Sequence, residues 1–222
     1  IQKKVFKYIF FIELNRFMDR TKKTIPIFPL NGVLLLPGGN LPLNIFEPRY
    51  IDMIDYAFKN EKLIGMIQNK KNDSEDLFDI GCIGKISSYT ETEDDRYVIN
   101  LSGFSRFKIL KEVKVDQKFR MCEVDFSEEK YFFEFDKTNF DKNSFIKKVN
   151  RFLSDNGMAA DIESITKIDD KSLITMVAMI CPFDVNEKQM LLESKNIDDL
   201  LNILISLIDF SNSNIYQNKS IN

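Results

Sequence analysis

The hydrophobic period of this chain changes near residue 135, and that change limits the folds that the chain can adopt. Before this point, short β-rich runs alternate with turns, and the segment 106–115 alternates apolar and charged residues with period two. After it, apolar residues recur every three or four positions, as in the segment 145–153. Period two indicates strands with one buried face, and the longer spacing indicates amphipathic helices. We therefore expect an α+β fold, in which a β-rich half with one helix precedes an antiparallel helical bundle.

Proline and glycine residues help to set the limits of the predicted helices and strands. Pro48 fits the first position of the one helix in the β-rich half, because a proline lacks the N–H that would be unpaired there. Gly157 follows the first helical pattern of the second half, where a left-handed C-cap residue belongs. Two short strands are expected to flank the turn at Pro37–Gly39. The other segments predicted as strands are 63–68, 80–90, 96–104, 106–115 and 119–126.

Capping signals place the remaining helices. Residues 173–180 are apolar almost all round, which predicts a central buried helix, and Pro182 is expected to end it. Asp184 and Glu187 form a capping-box pattern at the start of the next helix. Asn196 is expected to cap the last helix.

The distribution of charged residues and the hydrophobic pattern divide the chain into four parts. We expect a basic, disordered extension (1–24), a β-rich subdomain (25–134), a helical bundle (135–212) and a flexible tail (213–222). The extension carries seven basic and two acidic side chains, so the rest of the chain is more acidic than the net charge of −3 indicates. An acidic body disfavours binding to a phosphate backbone, and we expect no DNA partner.

The start of the chain and its cysteines indicate its compartment. Residues 1–17 are expected to precede a native start at Met18 or to form an extension, and the alternative is a basic amphipathic anchor on a membrane surface. No apolar run reaches the roughly 18 residues that a membrane-spanning helix needs. Cys82, Cys122 and Cys181 are far apart, which is typical of free thiols in a reducing compartment. The sequence therefore predicts a cytoplasmic protein.

The residue types that most catalytic sites require are missing. The chain has no histidine, which excludes the usual Ser-His-Asp and Cys-His arrangements. Three scattered cysteines cannot supply a four-cysteine zinc site, and neither a Walker A motif nor GxGxxG occurs. Acidic pairs such as Asp169–Asp170 fall at turns or helix starts, where solvation or capping explains them. We expect no catalytic residue, no metal, no cofactor and no enzymatic activity.

Three blocks of sequence, in order, carry a family resemblance. The stretch "IPIFPLNGVLLLPGGNLPLNIFEPRY" (25–50) resembles the first motif of the Lon protease N-terminal, substrate-binding domain family. The block "LFDIGCIGKISSYTETEDDRYVINLSGFSRFKI" (77–109) is similar to the strand, hairpin and strand of that family. The block "MICPFDVNEKQMLLES" (179–194) is similar to its helical segment.

This resemblance implies a PUA-like pseudo-barrel followed by a helical bundle. It also implies a role in recognising unfolded or tagged protein segments, with a separate Lon-type protease as a further candidate partner. In the full proteases an ATPase module and a Ser-Lys peptidase domain follow this domain, and residues 1–222 contain neither. The chain therefore looks like the stand-alone form, for which we expect binding and no proteolysis.

The stretch 25–50 contains the candidate site. An apolar surface stiffened by prolines loses little entropy on binding, so it suits the capture of apolar peptides. The candidate peptide-binding residues are Phe28, Leu30, Leu34, Pro37, Leu41, Pro42 and Phe46. The residues expected to shape the motif are Gly38, Gly39, Glu47, Pro48, Arg49 and Tyr50. Glu47 is expected to cap the helix that starts at Pro48, and to form an ion pair with Arg49.

Two alternatives remain open at the level of sequence. A PUA-like fold could bind RNA, although the acidic body makes this partner less favoured, and it would need a continuous basic patch. The only residues able to form that patch are Lys85, Arg96, Arg106, Lys108 and Arg120. A concealed Ser-Lys or carboxylate site would instead make the protein an ATP-independent peptidase, and it would need a cleft with convergent titratable groups.

Overall fold

The computed structural model describes residues 22–71, 75–126, 140–159 and 161–219. The first 21 residues, the predicted boundary at residue 135 and the last three residues lie outside these ranges. The strands are β1 (Lys22–Pro29), β2 (Asn40–Ile45), β3 (Leu63–Ile67), β4 (Ile80–Glu91), β5 (Tyr97–Val113) and β6 (Arg120–Asp125). The helices are α1 (Pro48–Lys59), α2 (Lys142–Asp155), α3 (Ile162–Thr166), α4 (Asp170–Ile180), α5 (Val185–Leu192) and α6 (Ile197–Lys219). The predicted α+β class is confirmed.

The six strands form one sheet that closes on itself. Their order is β2-β5-β4-β3-β1-β6, and β5 also pairs with β6. The long strand β5 pairs with β2 through Tyr97–Ser102 and with β6 through Lys108–Val113. The ring β5-β4-β3-β1-β6 is therefore closed, and β2 is attached outside it. Residues 22–126, called the barrel lobe below, thus have the predicted pseudo-barrel form.

Two strand predictions are wrong. Residues 96–104 and 106–115 were expected as separate strands, but β5 is continuous through Ser105. Its pairing with β4 is irregular at two places: Phe104 of β5 is an extra residue opposite Ile83 and Gly84, and Ser87 of β4 is an extra residue opposite Leu101 and Asn100. The segment 33–36, expected as a strand before the turn, belongs to no strand. Its three leucines are buried although they form no strand. The sequence alone does not distinguish such a buried apolar run from a strand.

The barrel interior is packed around aromatic rings. Ile27, Phe107 and Val124 are almost inaccessible to solvent. A Cβ atom on Gly81 would lie 2.4 Å from Phe107, and one on Gly65 would lie 2.8 Å from Ile27. Glycine at these two positions leaves the space that the interior side chains fill. The interior is therefore a packed core and not a pore.

A second core joins the barrel exterior to the helices of residues 140–219, called the helical lobe below. It extends from Phe28 of β1, whose ring lies 4.3 Å from that of Tyr50 on α1, to Ile208 of α6. Helix α4 lies at its centre, since Leu173 and Val177 are fully buried, and the predicted central helix is confirmed. Because this core is shared, the two lobes pack against each other.

Local caps define the helices of the second lobe as the sequence predicts. The Asp184 carboxylate accepts a hydrogen bond from Glu187 N, and Glu187 Oε2 accepts one from Asp184 N, which completes a capping box. Asn196 Oδ1 accepts from Asp199 N at 2.9 Å. Gly157 has φ of +73°, in the left-handed region expected after α2. Helix α6 continues to Lys219, beyond the predicted end of the bundle at residue 212.

Candidate functional site

A groove with a volume of about 510 Å³ opens between the segment 32–42 and helix α4. The residues that line it on the barrel side are Gly32, Val33, Leu34, Gly38, Gly39, Asn40, Leu41 and Pro42. Those on the helical side are Ile168, Ser172, Thr175, Met176, Met179 and Ile180. None of these lining side chains carries a charge. The groove therefore offers an apolar surface with a few neutral polar groups.

The turn at residues 37–39 is held against β5 by backbone hydrogen bonds. Gly38 N donates to Gly103 O at 3.0 Å, Gly103 N donates to Gly39 O at 2.8 Å, and Gly39 N donates to Leu36 O at 2.9 Å. A Cβ atom on Gly39 would lie 2.2 Å from Met179 Sδ. Glycine at this position lets the turn approach α4 closely.

Helix α4 presents different faces to the core and to the groove. Leu173 and Val177 point into the shared core, whereas Met176, Met179 and Ile180 line the groove. The Ile180 side chain keeps 42% of its surface exposed. Methionine is unbranched and polarizable, so it adapts to side chains of different shapes. This face of α4 is therefore suited to contact varied apolar groups.

Helix α5 fixes the distance between the two sides of the groove. Lys188 Nζ donates a short hydrogen bond to Gly32 O, and Gln189 Nε2 donates to Ile80 O at 3.1 Å. From the barrel side, Arg106 Nη1 donates to Leu192 O at 3.1 Å and also to Ser194 O. These side-chain to backbone bonds tie the middle and the C-terminal end of α5 to the barrel lobe. Because α4 leads directly into α5, they also hold α4 in place across the groove.

The titratable groups behind the groove are shifted by burial. Burial raises the pKa of the Cys181 thiol to about 12, so this thiol stays neutral near pH 7. Burial lowers the pKa of the Lys188 amine, and the neighbouring Cys181 opposes that change.

In the described ranges, no group of three or more His, Cys, Asp and Glu side chains could hold a metal ion. None of the described helices has the length and hydropathy needed to cross a bilayer.

The structure separates the predicted peptide-binding residues into two sets. Leu34, Leu41 and Pro42 line the groove, as do Gly38 and Gly39 of the predicted motif. The residues that lie elsewhere are Phe28, Leu30, Pro37 and Phe46. Of these, Phe28 is buried in the core and Pro37 is buried in the turn. Leu30 is half-buried, and Phe46 is 60% exposed at the end of β2.

The predicted motif around the start of α1 has a different geometry from the one expected. Pro48 occupies the first turn of α1. Glu47 is the N-cap residue, but its side chain makes no capping hydrogen bond, so the expected cap is wrong. The carboxylate instead accepts from Arg49 at 2.9 Å in an exposed ion pair. The Arg49 guanidinium also lies 4.5 Å from the centre of the Tyr50 ring.

The helical side of the groove is absent from the sequence prediction. Met176, Met179 and Ile180 fall within the segment that was expected to be wholly buried. They have the spacing i, i+3, i+4, which forms a second apolar stripe beside the stripe containing Leu173 and Val177. A helix with two apolar faces needs two partners, and this pattern could have revealed the second surface.

Three of the five basic residues proposed for RNA bind other groups of the protein. The Arg120 guanidinium pairs with the Glu112 carboxylate at 2.6 Å, and this hydrogen bond raises the pKa of Arg120. Arg96 pairs with Asp94 at 2.8 Å. Arg106 is buried against the carbonyl groups at the end of α5. Three of the five residues are therefore engaged within the protein, which disfavours the RNA alternative.

Fold and groove together define a two-lobed α+β domain, in which a closed barrel and a helical lobe face each other across an uncharged apolar cleft. The description of the matching family is "ATP-dependent protease La (LON) substrate-binding domain", and its match covers residues 24–209. The chain therefore belongs to the Lon substrate-binding domain family.

Relatives in sequence are Lon proteases of bacteria. The chain is 23% identical over 195 residues to the Lon protease of Anaeromyxobacter dehalogenans, and the aligned region covers 83% of this chain and 23% of that protein. It is 26% identical over 202 residues to the Lon protease of Haemophilus influenzae, covering 85% of this chain and 24% of that protein. The chain thus spans about a quarter of the length of these relatives.

Solved structures share the fold. A Lon N-terminal domain protein from Xanthomonas campestris superposes with a TM-score of 0.56 at 20% identity, covering 82% of this chain and 97% of that one. The N-terminal domain of the Mycobacterium avium complex Lon protease gives a TM-score of 0.57 at 17% identity, covering 84% of this chain and 98% of that one. At these identities the similarity establishes the fold alone.

Proposed function

We propose that this domain recognises protein substrates by binding exposed apolar segments of unfolded chains in the groove between residues 32–42 and α4. The observation that carries the proposal is the groove itself, which is apolar, uncharged and lined on one side by Met176, Met179 and Ile180. Membership of a substrate-binding domain family supports a role in substrate recognition.

The chemistry of the groove favours uncharged apolar side chains as ligands. Burying one side chain of the size of leucine contributes about 1.5–3 kcal/mol, whereas a charged group would lose its hydration without gaining a partner. The ordering of an unfolded segment offsets much of this gain. Two or three buried side chains, which contribute about 3–9 kcal/mol before that offset, are therefore expected to give a Kd on the order of tens to hundreds of micromolar. Such weak and tolerant binding suits the capture of many different unfolded chains.

In this proposal the domain is non-catalytic and acts as an adaptor or a holdase. A holdase covers apolar segments and prevents their aggregation, and an adaptor presents them to a Lon-type protease, which is the proposed partner. We place this activity in the cytoplasm, because Cys82, Cys122 and Cys181 are buried and form no disulfide, which suits a reducing compartment.

Fluorescence anisotropy with a labelled, uncharged peptide rich in Leu and Val tests the groove. Ile180→Lys puts a charge in the groove at an exposed position and is expected to weaken binding about tenfold, because the lysine removes apolar contact area. Met190→Lys is the matched control, since Met190 is 53% exposed on α5 and does not line the groove. This control should change Kd by less than about twofold.

Three outcomes would contradict the proposal. Equal weakening by the two lysine variants would show that the groove is not the site. Absence of binding to the unmodified protein at high micromolar concentration would exclude peptide recognition. Fragments of the peptide in mass spectra, produced by the purified protein with or without ATP, would overturn the non-catalytic part.

A further inference from the structure

Strand β2 lies at the open edge of the sheet, because β5 is its only neighbour among the described strands. The bond from Gly103 N to Gly39 O joins the pair that immediately precedes the ladder of β2 and β5, in the same register. Hydrogen-bonded and non-hydrogen-bonded pairs alternate along an antiparallel ladder. The backbone groups of odd-numbered β2 residues therefore face β5, and those of even-numbered residues face away from it.

The outer edge of β2 consists of the outward backbone groups of Asn40, Pro42 and Asn44. Pro42 occupies an outward position, where its missing N–H removes no bond from the ladder with β5. The edge thus presents the N–H groups of Asn40 and Asn44 and the C=O groups of all three residues. In the described part of the chain, no other segment makes a backbone hydrogen bond to this edge.

This edge borders the groove. Asn40 and Pro42 line it together with Met176 and Ser172 of α4 on the opposite side. An extended segment lying in the groove would meet backbone donors and acceptors on one side and apolar side chains on the other. A helical ligand could use only the apolar side, because its own backbone groups are already bonded internally.

We propose that the groove binds its substrate as an added β-strand, paired with the outer edge of β2. The inference rests on the proposed function and specifies the class of substrate. The ligand is an extended, uncharged segment with apolar side chains at alternate positions and without proline where its N–H groups face β2. Strands rise about 3.3 Å per residue, so the three outward positions of β2 pair with a segment of roughly five residues.

The test uses three labelled peptides of one alternating Leu-Ser sequence. The first is unmodified, the second is N-methylated at the Leu amides, and the third at the Ser amides. Alternation of the side chains fixes the register, so one set of amides faces β2 and the other faces away from it. The methylation that blocks the inward set is expected to raise Kd about tenfold or more, because the peptide loses its N–H donors to the outward C=O groups of β2. The other methylated peptide should bind within about threefold of the unmodified one.

A protein variant provides a second measurement from the other side of the interface. Asn40→Pro removes one outward N–H and is expected to weaken binding of the unmodified peptide about fivefold. Asn40→Ala is the matched control, because it loses the same side-chain contact with Ser102 but keeps the N–H. Thermal unfolding of both variants verifies that β2 remains folded.

The outcomes separate this inference from the proposed function. Unmodified peptide that binds while both methylated peptides bind equally well overturns strand addition and leaves groove recognition intact. Unmodified peptide that does not bind overturns both. A loss confined to one methylated peptide, together with a difference between the two Asn40 variants, supports strand addition.

Discussion

At the scale of single residues, Gly103 shows how one missing Cβ atom shapes the site. Gly103 lies in β5 where the turn at residues 37–39 crosses it. A Cβ atom here would lie 2.0 Å from Leu36 O and 3.2 Å from Leu35 Cδ1. The oxygen belongs to the buried backbone that leads into the turn. The barrel side of the groove therefore depends on glycine at this position.

We expect Gly103→Ala to lower the free energy of unfolding by about 3 kcal/mol, since the backbone of Leu36 must move to relieve the contact. Gly157→Ala is the control, because Gly157 has φ of +73° but open space around it, and its cost should be about 1 kcal/mol. Urea denaturation measures both values. Equal losses in the two variants would show that the close contact at Gly103 is readily relieved.

At the scale of elements, helix α5 depends on its first turn. The capping box of Asp184 and Glu187 satisfies two backbone N–H groups that would otherwise be unpaired. The same short helix supplies the bonds that attach the two lobes to each other. Fraying of the first turn of α5 would therefore weaken the attachment between the two lobes as well as the helix itself.

Asp184→Ala is expected to lower the free energy of unfolding by about 1 kcal/mol, because Glu187 N loses its acceptor. Asp184→Asn should cost only a few tenths of that value, since asparagine caps a helix about as well as aspartate. Chemical denaturation followed by circular dichroism compares the two variants. An equal loss for both would mean that the charge of Asp184, and not its capping oxygen, is what matters.

At the scale of the whole molecule, Lys188 crosses from the helical lobe to the turn at Gly32 on the barrel side. Burial lowers the pKa of its amine in the folded state below the ordinary value of 10.5. Between the folded and unfolded pKa values, the unfolded chain binds more protons. Stability from this group is therefore smallest below the folded pKa and rises as the pH approaches 10.5.

The predicted consequence is a pH-dependent difference between the wild-type protein and Lys188→Met. The free energy of unfolding of the wild type should increase relative to the variant as the pH is raised from 7 towards 10. Other titrating groups are common to both proteins and cancel in this difference, and Cys181 stays neutral because its pKa is raised to about 12. Urea denaturation at several pH values measures it. A difference that does not change with pH would show that burial does not shift this amine.

Features encoded by neighbouring residues could be predicted from the sequence. The caps at Asp184 and Asn196, the left-handed Gly157 and the central position of α4 all follow from spacing within a few residues, and the structure confirms each. The continuity of β5 could not be predicted, because it depends on the pairing with β4, in which one extra residue of each strand, Phe104 and Ser87, is accommodated by a shift of register. How two strands accommodate each other depends on how they pair, and this pairing cannot be read from the sequence of either strand alone.

The sequence by itself determined the α+β class, the order of most elements and the Lon family resemblance of the stretch 25–50. Only the tertiary structure decided which apolar residues of that stretch face solvent. Phe28 is covered by α1, whereas Leu41 borders a groove whose other wall is Met176, more than a hundred residues away. The physical reason is that apolar residues in a core and in a binding groove have the same chemistry. Whether an apolar residue is buried depends on which other residues the fold packs against it.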